Sequence, residues 1–429
     1  MEANITQRVN LNTVFSKTRR TQILCLALLL SSTPLSLSFF LGGSRYNLLP
    51  LPILACLLIG LNLKGNKKAL TENRLLLTSL AAFYGWIWVC AGFSQHLKTA
   101  VKYNVIYTTY GLIFIGFLLI TANSRTHQSI YRLLFYFLGF LAFLGTLEFF
   151  CPELWIFNGL GAYNRHYPQV MSLTVNPNPF GALMAIAAGF SIVLKKHNLI
   201  KAYEFYPVIF LILTALTFAA SRNGWLVFAL FMLLGTACRV LSFREALAYS
   251  FAALFLALFF PNPAYRLGFG ESEFFPLLNL VDSVLSHYGV SIPEDSFRSL
   301  TSSDPTSTAL SRFMLWKAAI AQIIEHPITG IGTGVFAQHI GPQIMGRVGL
   351  HTHNLFLNLA AETGLPGLLL FLSFLTRVIR RAALSNRVAI IFLALLLTSQ
   401  LPDFFVSDST FMVVSAYFFA IACNKSLMN

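Results

Sequence analysis

Apolar runs of about twenty residues recur along this chain, separated by short polar links, and a helix of that length crosses the roughly 30 Å hydrocarbon core of a bilayer. The runs are Thr21–Leu41, Tyr46–Leu63, Leu75–Phe93, Tyr103–Ala122, Ile130–Phe150, Phe180–Leu194, Phe205–Ala220, Trp225–Leu241 and Ala246–Phe260. A long polar stretch follows. A further run then opens near His353 and ends at Arg377, before Val388–Phe405 and Thr410–Cys423. The pattern predicts an all-α polytopic membrane protein of about 12 transmembrane helices with one large periplasmic (or lumenal) loop subdomain. It divides the chain into residues 1–260, with the first nine spans, 261–352, the loop subdomain, and 353–429, the last three spans. Inside the loop subdomain, Ala309–Glu325 carries Phe313, Met314, Trp316, Ile320 and Ile323 at helical spacing, and Pro327 ends it. That pattern suits an amphipathic helix lying along the membrane surface.

Composition supports the membrane reading. Only 11% of the 429 residues are charged and 56% are hydrophobic, against roughly 25% charged in a soluble domain. The net charge of +14 has a topological explanation, because Lys and Arg collect in the links that alternate runs place on one side. Twenty of the thirty basic residues fall there, among them Arg8, Lys17, Arg19, Arg20, Lys64, Lys67, Lys68, Arg74, Lys195, Lys196, Lys201, Arg377, Arg380, Arg381 and Arg387. By the positive-inside rule this side is cytoplasmic and holds both termini. No basic face interleaved with aromatics is present, so nucleic acid is not an expected partner. The six cysteines (Cys25, Cys56, Cys90, Cys151, Cys238, Cys423) lack metal or redox spacing and read as small apolar packing residues. No small-residue cleavage site follows Leu41, so the first run is expected to be a retained helix.

The topology makes certain polar residues unusual. Arg222 sits in the tight outer hairpin Ser221-Arg222-Asn223-Gly224 between two apolar runs, against the orientation bias. It either snorkels to lipid headgroups or meets an anion. Arg312 lies on the first turn of the surface helix, where a cation adds to the positive dipole end; it is either a solvated residue or part of an anion site. The stretch from His351 to Gly367 places His351, His353 and Asn354 where the polar segment gives way to an apolar helix. A histidine there can titrate near neutrality and move a proton, or the polar residues simply mark the membrane boundary. Asn354 is placed to orient the His353 ring, and Asp403, near the outer end of a span, to pair with an outer Arg or with His353. No H-E-x-x-H or Cys/His cluster supports a metal. Two arginines, a histidine and a carboxylate therefore converge at one face. Arginine forks suit the oxygens of a pyrophosphate, which at the outer face of a bacterial membrane suggests a lipid-linked sugar donor, with His353 as the base for an acceptor hydroxyl.

Three segments carry a family resemblance. They are Phe218-Ala219-Ala220-Ser221-Arg222-Asn223-Gly224-Trp225, then Ser311-Arg312-Phe313-Met314-Leu315-Trp316 with His326-Pro327-Ile328-Thr329-Gly330-Ile331-Gly332, then His353-Asn354 followed after nine residues by Gly364-Leu365-Pro366-Gly367. In that order the chain, from about Asn176 onward, resembles the O-antigen ligase/polymerase superfamily of bacterial membrane glycosyltransferases. The resemblance implies inverting, metal-independent transfer of a glycan from an undecaprenyl pyrophosphate carrier, without a cofactor. It implies Arg222 and Arg312 on the pyrophosphate, His353 as base, and His351, Asn354 and Asp403 as supporting residues. It also implies a bacterial inner-membrane location with the active site facing the periplasm. A ligase joins the glycan to lipid A–core, whereas a polymerase extends a second lipid-linked repeat. Members that glycosylate proteins often carry a longer C-terminal part, which is not expected here. The ligase is preferred over the polymerase. The reading from another class, a multi-span transporter or flippase, expects two similar halves with polar residues at the bilayer midplane, whereas here one loop dominates and the charges gather at one face.

Overall fold

The computed structural model describes residues 3–33, 50–63, 66–122, 124–151, 170–174, 176–259, 305–346, 348–385, 387–406 and 408–423. Among these it is helical with no strand. The helices are α1 (Ala3–Ser32), α2 (Pro50–Leu63), α3 (Lys67–Glu72), α4 (Arg74–Phe93), α5 (Leu97–Thr121), α6 (Ser124–Phe150), α7 (Pro177–Lys196), α8 (Ala202–Phe218), α9 (Arg222–Ala237), α10 (Phe243–Phe259), α11 (Pro305–Glu325), α12 (Gly341–Met345), α13 (Leu355–Ser385), α14 (Arg387–Ser399) and α15 (Ser409–Cys423). One π-turn, Phe336–Ile340, precedes α12. Each apolar run read from the sequence meets a helix. Five helical stretches are long and apolar enough to cross a membrane: Arg74–Phe93, Leu97–Thr121, His127–Phe150, Pro177–Lys196 and Leu355–Leu384. Pro50–Leu63, Ala202–Phe218, Arg222–Ala237, Arg387–Ser399 and Ser409–Cys423 are shorter apolar helices. Nearly half of the expected loop subdomain, residues 261–304, lies outside the described residues.

Several boundaries differ from the hydropathy reading, each for a local reason. Lys98 and Lys102, between two of the apolar runs, lie within α5, whose start keeps both of them exposed. The run expected to reach Phe405 stops at Ser399; Pro402 brings no N–H to continue the ladder, so Asp403 stands on a loop instead of a span. The run expected from His353 begins as a helix at Leu355.

Local signals set the starts that matter. Asn176 caps α7 by accepting the Asn178 N–H (2.8 Å), with Pro177 in the first turn, where its missing donor costs nothing. Ser221 caps α9 by accepting the Gly224 N–H (3.1 Å), and Asn354 caps α13 by accepting the Leu357 N–H (2.9 Å). The central pillar is α7, buried from Phe180 to Leu194. Its small residues let neighbours approach closely, as membrane helix interfaces favour. A Cβ on Gly224 of α9 would lie 2.7 Å from the Gly181 backbone of α7.

The Gly364-Leu365-Pro366-Gly367 segment is a built kink in α13. Gly364 adopts φ 70°, ψ 176°, and a Cβ there would fall 2.0 Å from the Ile328 carbonyl oxygen. Pro366 offers no N–H, and the Leu365 N–H turns away to the Pro327 carbonyl (2.8 Å). The helix carbonyls so released find other donors: Ile331 N–H reaches Ala361 O (3.0 Å), Gly332 N–H reaches Glu362 O (2.9 Å), and Trp86 Nε1 reaches Thr363 O (2.9 Å). A non-helical turn inside a span is stable only when protein groups satisfy its backbone in this way. The two glycine-rich motifs are therefore halves of one backbone crossing.

Candidate active site

The site is assembled where the starts of α7, α9 and α13 meet the loop between α14 and α15. His353 immediately precedes the α13 cap and sits at φ 53°, a left-handed conformation uncommon outside glycine and worth explaining. Three bonds hold it there. Thr352 Oγ1 donates to Asn354 O (2.8 Å), Asn354 Nδ2 donates to Leu401 O (3.1 Å), and Trp316 Nε1 from α11 donates to Thr352 O (2.7 Å). Leu355 N–H also donates to Gln400 O (3.1 Å), while Gln400 Oε1 accepts the Phe405 N–H (2.9 Å). The His353 turn and the Asp403 loop are thus laced together.

Their side chains meet directly. His353 Nδ1 lies 2.9 Å from Asp403 Oδ1, with the imidazole one quarter exposed and the carboxylate nearly enclosed. This carboxylate–histidine pairing fixes the ring and places the proton on Nδ1, which leaves Nε2 as the basic atom. Asp403 is itself held at both oxygens. Oδ1 accepts the Phe404 N–H (2.9 Å), and Oδ2 accepts Asn178 Nδ2 (2.9 Å). Burial pushes the Asp403 carboxyl up, but the His353 hydrogen bond and charge, the Phe404 N–H and the Arg312 charge together hold it below its ordinary value.

The same network reaches the arginines. Asn178 Oδ1 accepts from Ser221 Oγ (3.3 Å), the residue that caps α9, and Arg222 is the next residue, exposed at the first position of that helix. Asn223 Nδ2 ties the same turn to Ser399 O at the end of α14 (2.8 Å). Arg222 therefore presents its charge beside the positive dipole end of α9, a place suited to an anion. Arg312, on α11, is close enough for its charge to act on Asp403. Its Nε is shielded from solvent and has no hydrogen-bond partner among the described residues, an arrangement that costs free energy unless a ligand completes it.

The remaining candidates lie around this pair. Asn354 caps α13 and anchors Leu401, so the ring-orienting role expected of it belongs to Asp403. His351 is buried with its ring 4.4 Å from that of Phe404 and its Nδ1 unpartnered among the described residues. Burial first, with the His353 charge adding and Asp403 opposing, pushes it down to about 3. Asn178, Ser221 and Trp316 belong to the network although sequence reasoning assigned them no site role. The Asn-Pro-Asn-Pro segment reads as a turn, and nothing in its spacing shows that Asn178 meets Asp403.

Residues 207–372 match the family profile described as O-antigen ligase. This match, over somewhat less than half of the chain, supports the resemblance to the O-antigen ligase/polymerase superfamily. No curated protein matches the chain. The matched segment runs from α8 into α13 and includes Arg222, Arg312, His351, His353 and Asn354. Asn178 and Asp403, which complete the hydrogen-bonded core of the site, lie outside it. Enzymes of the O-antigen ligase family are glycosyltransferase-like, and their substrates are, in general, lipid-linked glycans.

Proposed function

We propose that the protein is an O-antigen ligase that transfers a glycan from an undecaprenyl pyrophosphate carrier to a hydroxyl of lipid A–core, with inversion and without a metal. The observation that carries this reading is the His353–Asp403 pair facing the same site as Arg312, whose guanidinium Nε is enclosed without a partner among the described residues. In this reading the acceptor O–H gives its proton to His353 Nε2 as its oxygen attacks the anomeric carbon. The carbon–oxygen bond to the carrier breaks from the opposite face, and the undecaprenyl pyrophosphate departs with its charge neutralised by Arg222 and Arg312. The Asp403 carboxylate steadies the imidazolium that forms, without itself taking the proton.

An apolar cavity adjoins the site. Leu355 and Leu359 of α13, Gln400 and Val406 of the Asp403 loop, and Phe371 and Met412 line part of it, which supports a lipid-borne substrate. The proposed topology has twelve spans, cytoplasmic termini and a periplasmic site in a bacterial inner membrane, supported by the basic bias of alternate links. The test is reconstitution with undecaprenyl-pyrophosphate-linked glycan, with and without lipid A–core. Glycan on lipid A–core supports the ligase; carrier-linked chains that lengthen without that acceptor assign a polymerase. Transport of the lipid-linked glycan with no His353-dependent product would return the transporter reading.

A further inference from the structure

Helix α11 has two apolar faces, and packing explains one of them. Leu315 and Ala319 are buried in a small core with Phe336 and Ala361 of α13. On a face about 120° away, Phe313, Ile320 and Ile324 are each half or more exposed, and Trp316 is 38% exposed. At 100° per residue these four side chains fall within about 80° of arc. Lys317, also exposed, lies about 20° beyond one edge of that arc, and no acidic residue interrupts the stripe before Glu325.

The outward stripe does not end with the helix. Ile328 is exposed, and the neighbouring Pro327 carbonyl accepts the Leu365 N–H of α13. Leu365 and Leu369 are exposed in turn, on a stretch long and apolar enough to span a membrane. Exposed apolar side chains therefore follow one another from the flank of α13, through Ile328, to Ile324 of α11. A spanning helix turns such a flank to lipid, so the stripe continues a lipid-facing surface.

We propose that the Phe313–Trp316–Ile320–Ile324 stripe of α11 is seated in the lipid surface at the membrane face that carries His353. Lys317 lays its methylene stem along the apolar zone and keeps its ammonium at the headgroups. A helix seated this way sets the depth of the site, because Trp316 sits on the stripe and donates to Thr352 O, one residue from His353. The seat does not depend on the transfer chemistry proposed above.

The test uses the full-length protein in phosphatidylethanolamine/phosphatidylglycerol nanodiscs, with Cys56, Cys151 and Cys238 replaced by serine. Nitroxide labels are placed singly at Ile320→Cys and Ile324→Cys. Leu369→Cys serves as the lipid reference and Glu325→Cys as the water reference. Relaxation by oxygen, which concentrates in lipid, is compared with relaxation by a water-soluble nickel chelate. The expected result is oxygen-dominated relaxation at Ile320 and Ile324, matching Leu369, with nickel dominating at Glu325. Nickel-dominated relaxation at both stripe positions would overturn the proposal. So would shielding from both agents with dipolar broadening between labels, which would assign the stripe to a second copy of the chain. Both labelled positions are exposed, so the labels do not unpack the core, and the Leu369 label confirms that the spans are formed. No arm requires activity, so failure of the glycan-transfer reading leaves the result intact.

Discussion

At the scale of the residue, the account divides labour between a base, its partner and two cations. Replacing His353 with Ala removes the base and is expected to lower turnover by about 10²- to 10⁴-fold, with donor binding retained in a direct binding measurement. Asp403→Asn keeps the shape of the side chain but not its charge. It is expected to cut turnover by up to about 10⁴-fold, because an amide that donates to Nδ1 holds the ring in the wrong tautomer, with little change in KM. Arg312→Ala should instead weaken donor binding, by roughly 10- to 150-fold if a charged hydrogen bond of about 1.5–3 kcal/mol is lost. Arg312→Lys should recover little, because an ammonium lacks the planar fork. Equal loss of binding in all three variants would contradict this division.

His351 gives a prediction about pH. The unfolded chain takes up a proton near the ordinary 6.5, whereas the buried ring in the folded protein waits until about 3. The folded state therefore binds fewer protons across that interval. Its stability from this group is full above 6.5 and is lost as pH falls toward 3. His351→Leu should flatten this acid slope, read as thermal unfolding of the detergent-solubilised protein between pH 7 and pH 4. A slope identical to wild type would place the acid sensitivity elsewhere.

At the scale of the element, two glycines show how helices place the site. Gly224 lets α9 touch the backbone of α7, and a methyl group there would sit 2.7 Å from the Gly181 carbon. Gly224→Ala should force the helices apart at the turn that carries Ser221 and Arg222, at about 1–3 kcal/mol. The expected readout is a lowered unfolding temperature with a raised donor KM, and an unchanged KM would detach the crossing from the site. Gly364→Ala also meets backbone, but closer, 2.0 Å from Ile328 O, and in a conformation a β-carbon disfavours. It should be worse tolerated than Gly224→Ala, with loss of folded protein in size-exclusion chromatography.

At the scale of the whole molecule, the helical layout was legible because the bilayer demands apolar runs near twenty residues, and the caps at Asn176, Ser221 and Asn354 are written locally. The site was legible in part. Arg222, Arg312 and His353 stand out because polar groups at a membrane face are costly. The partner of His353 was left open between Asn354, which proves to be a helix cap, and Asp403, which makes the contact. Asn178 was missed because hydropathy and spacing report neighbours along one element, whereas Asn178 and Asp403 are 225 residues apart. The kink of α13 was hidden for the same reason. Gly364 and Pro366 signal a break, but the donors that repair it come from Trp86, Ile331 and Gly332.

These scales meet in one claim, that His353, held by Asp403, activates an acceptor against a lipid-linked pyrophosphate donor. Its most direct measurement is product formation by purified protein in the presence of undecaprenyl-pyrophosphate-linked glycan and lipid A–core, wild type beside His353→Ala. The account predicts glycan on lipid A–core with wild type and essentially none with His353→Ala, although both proteins bind the donor. Equal product from the two proteins, or no glycan transfer from wild type to any acceptor, would contradict it.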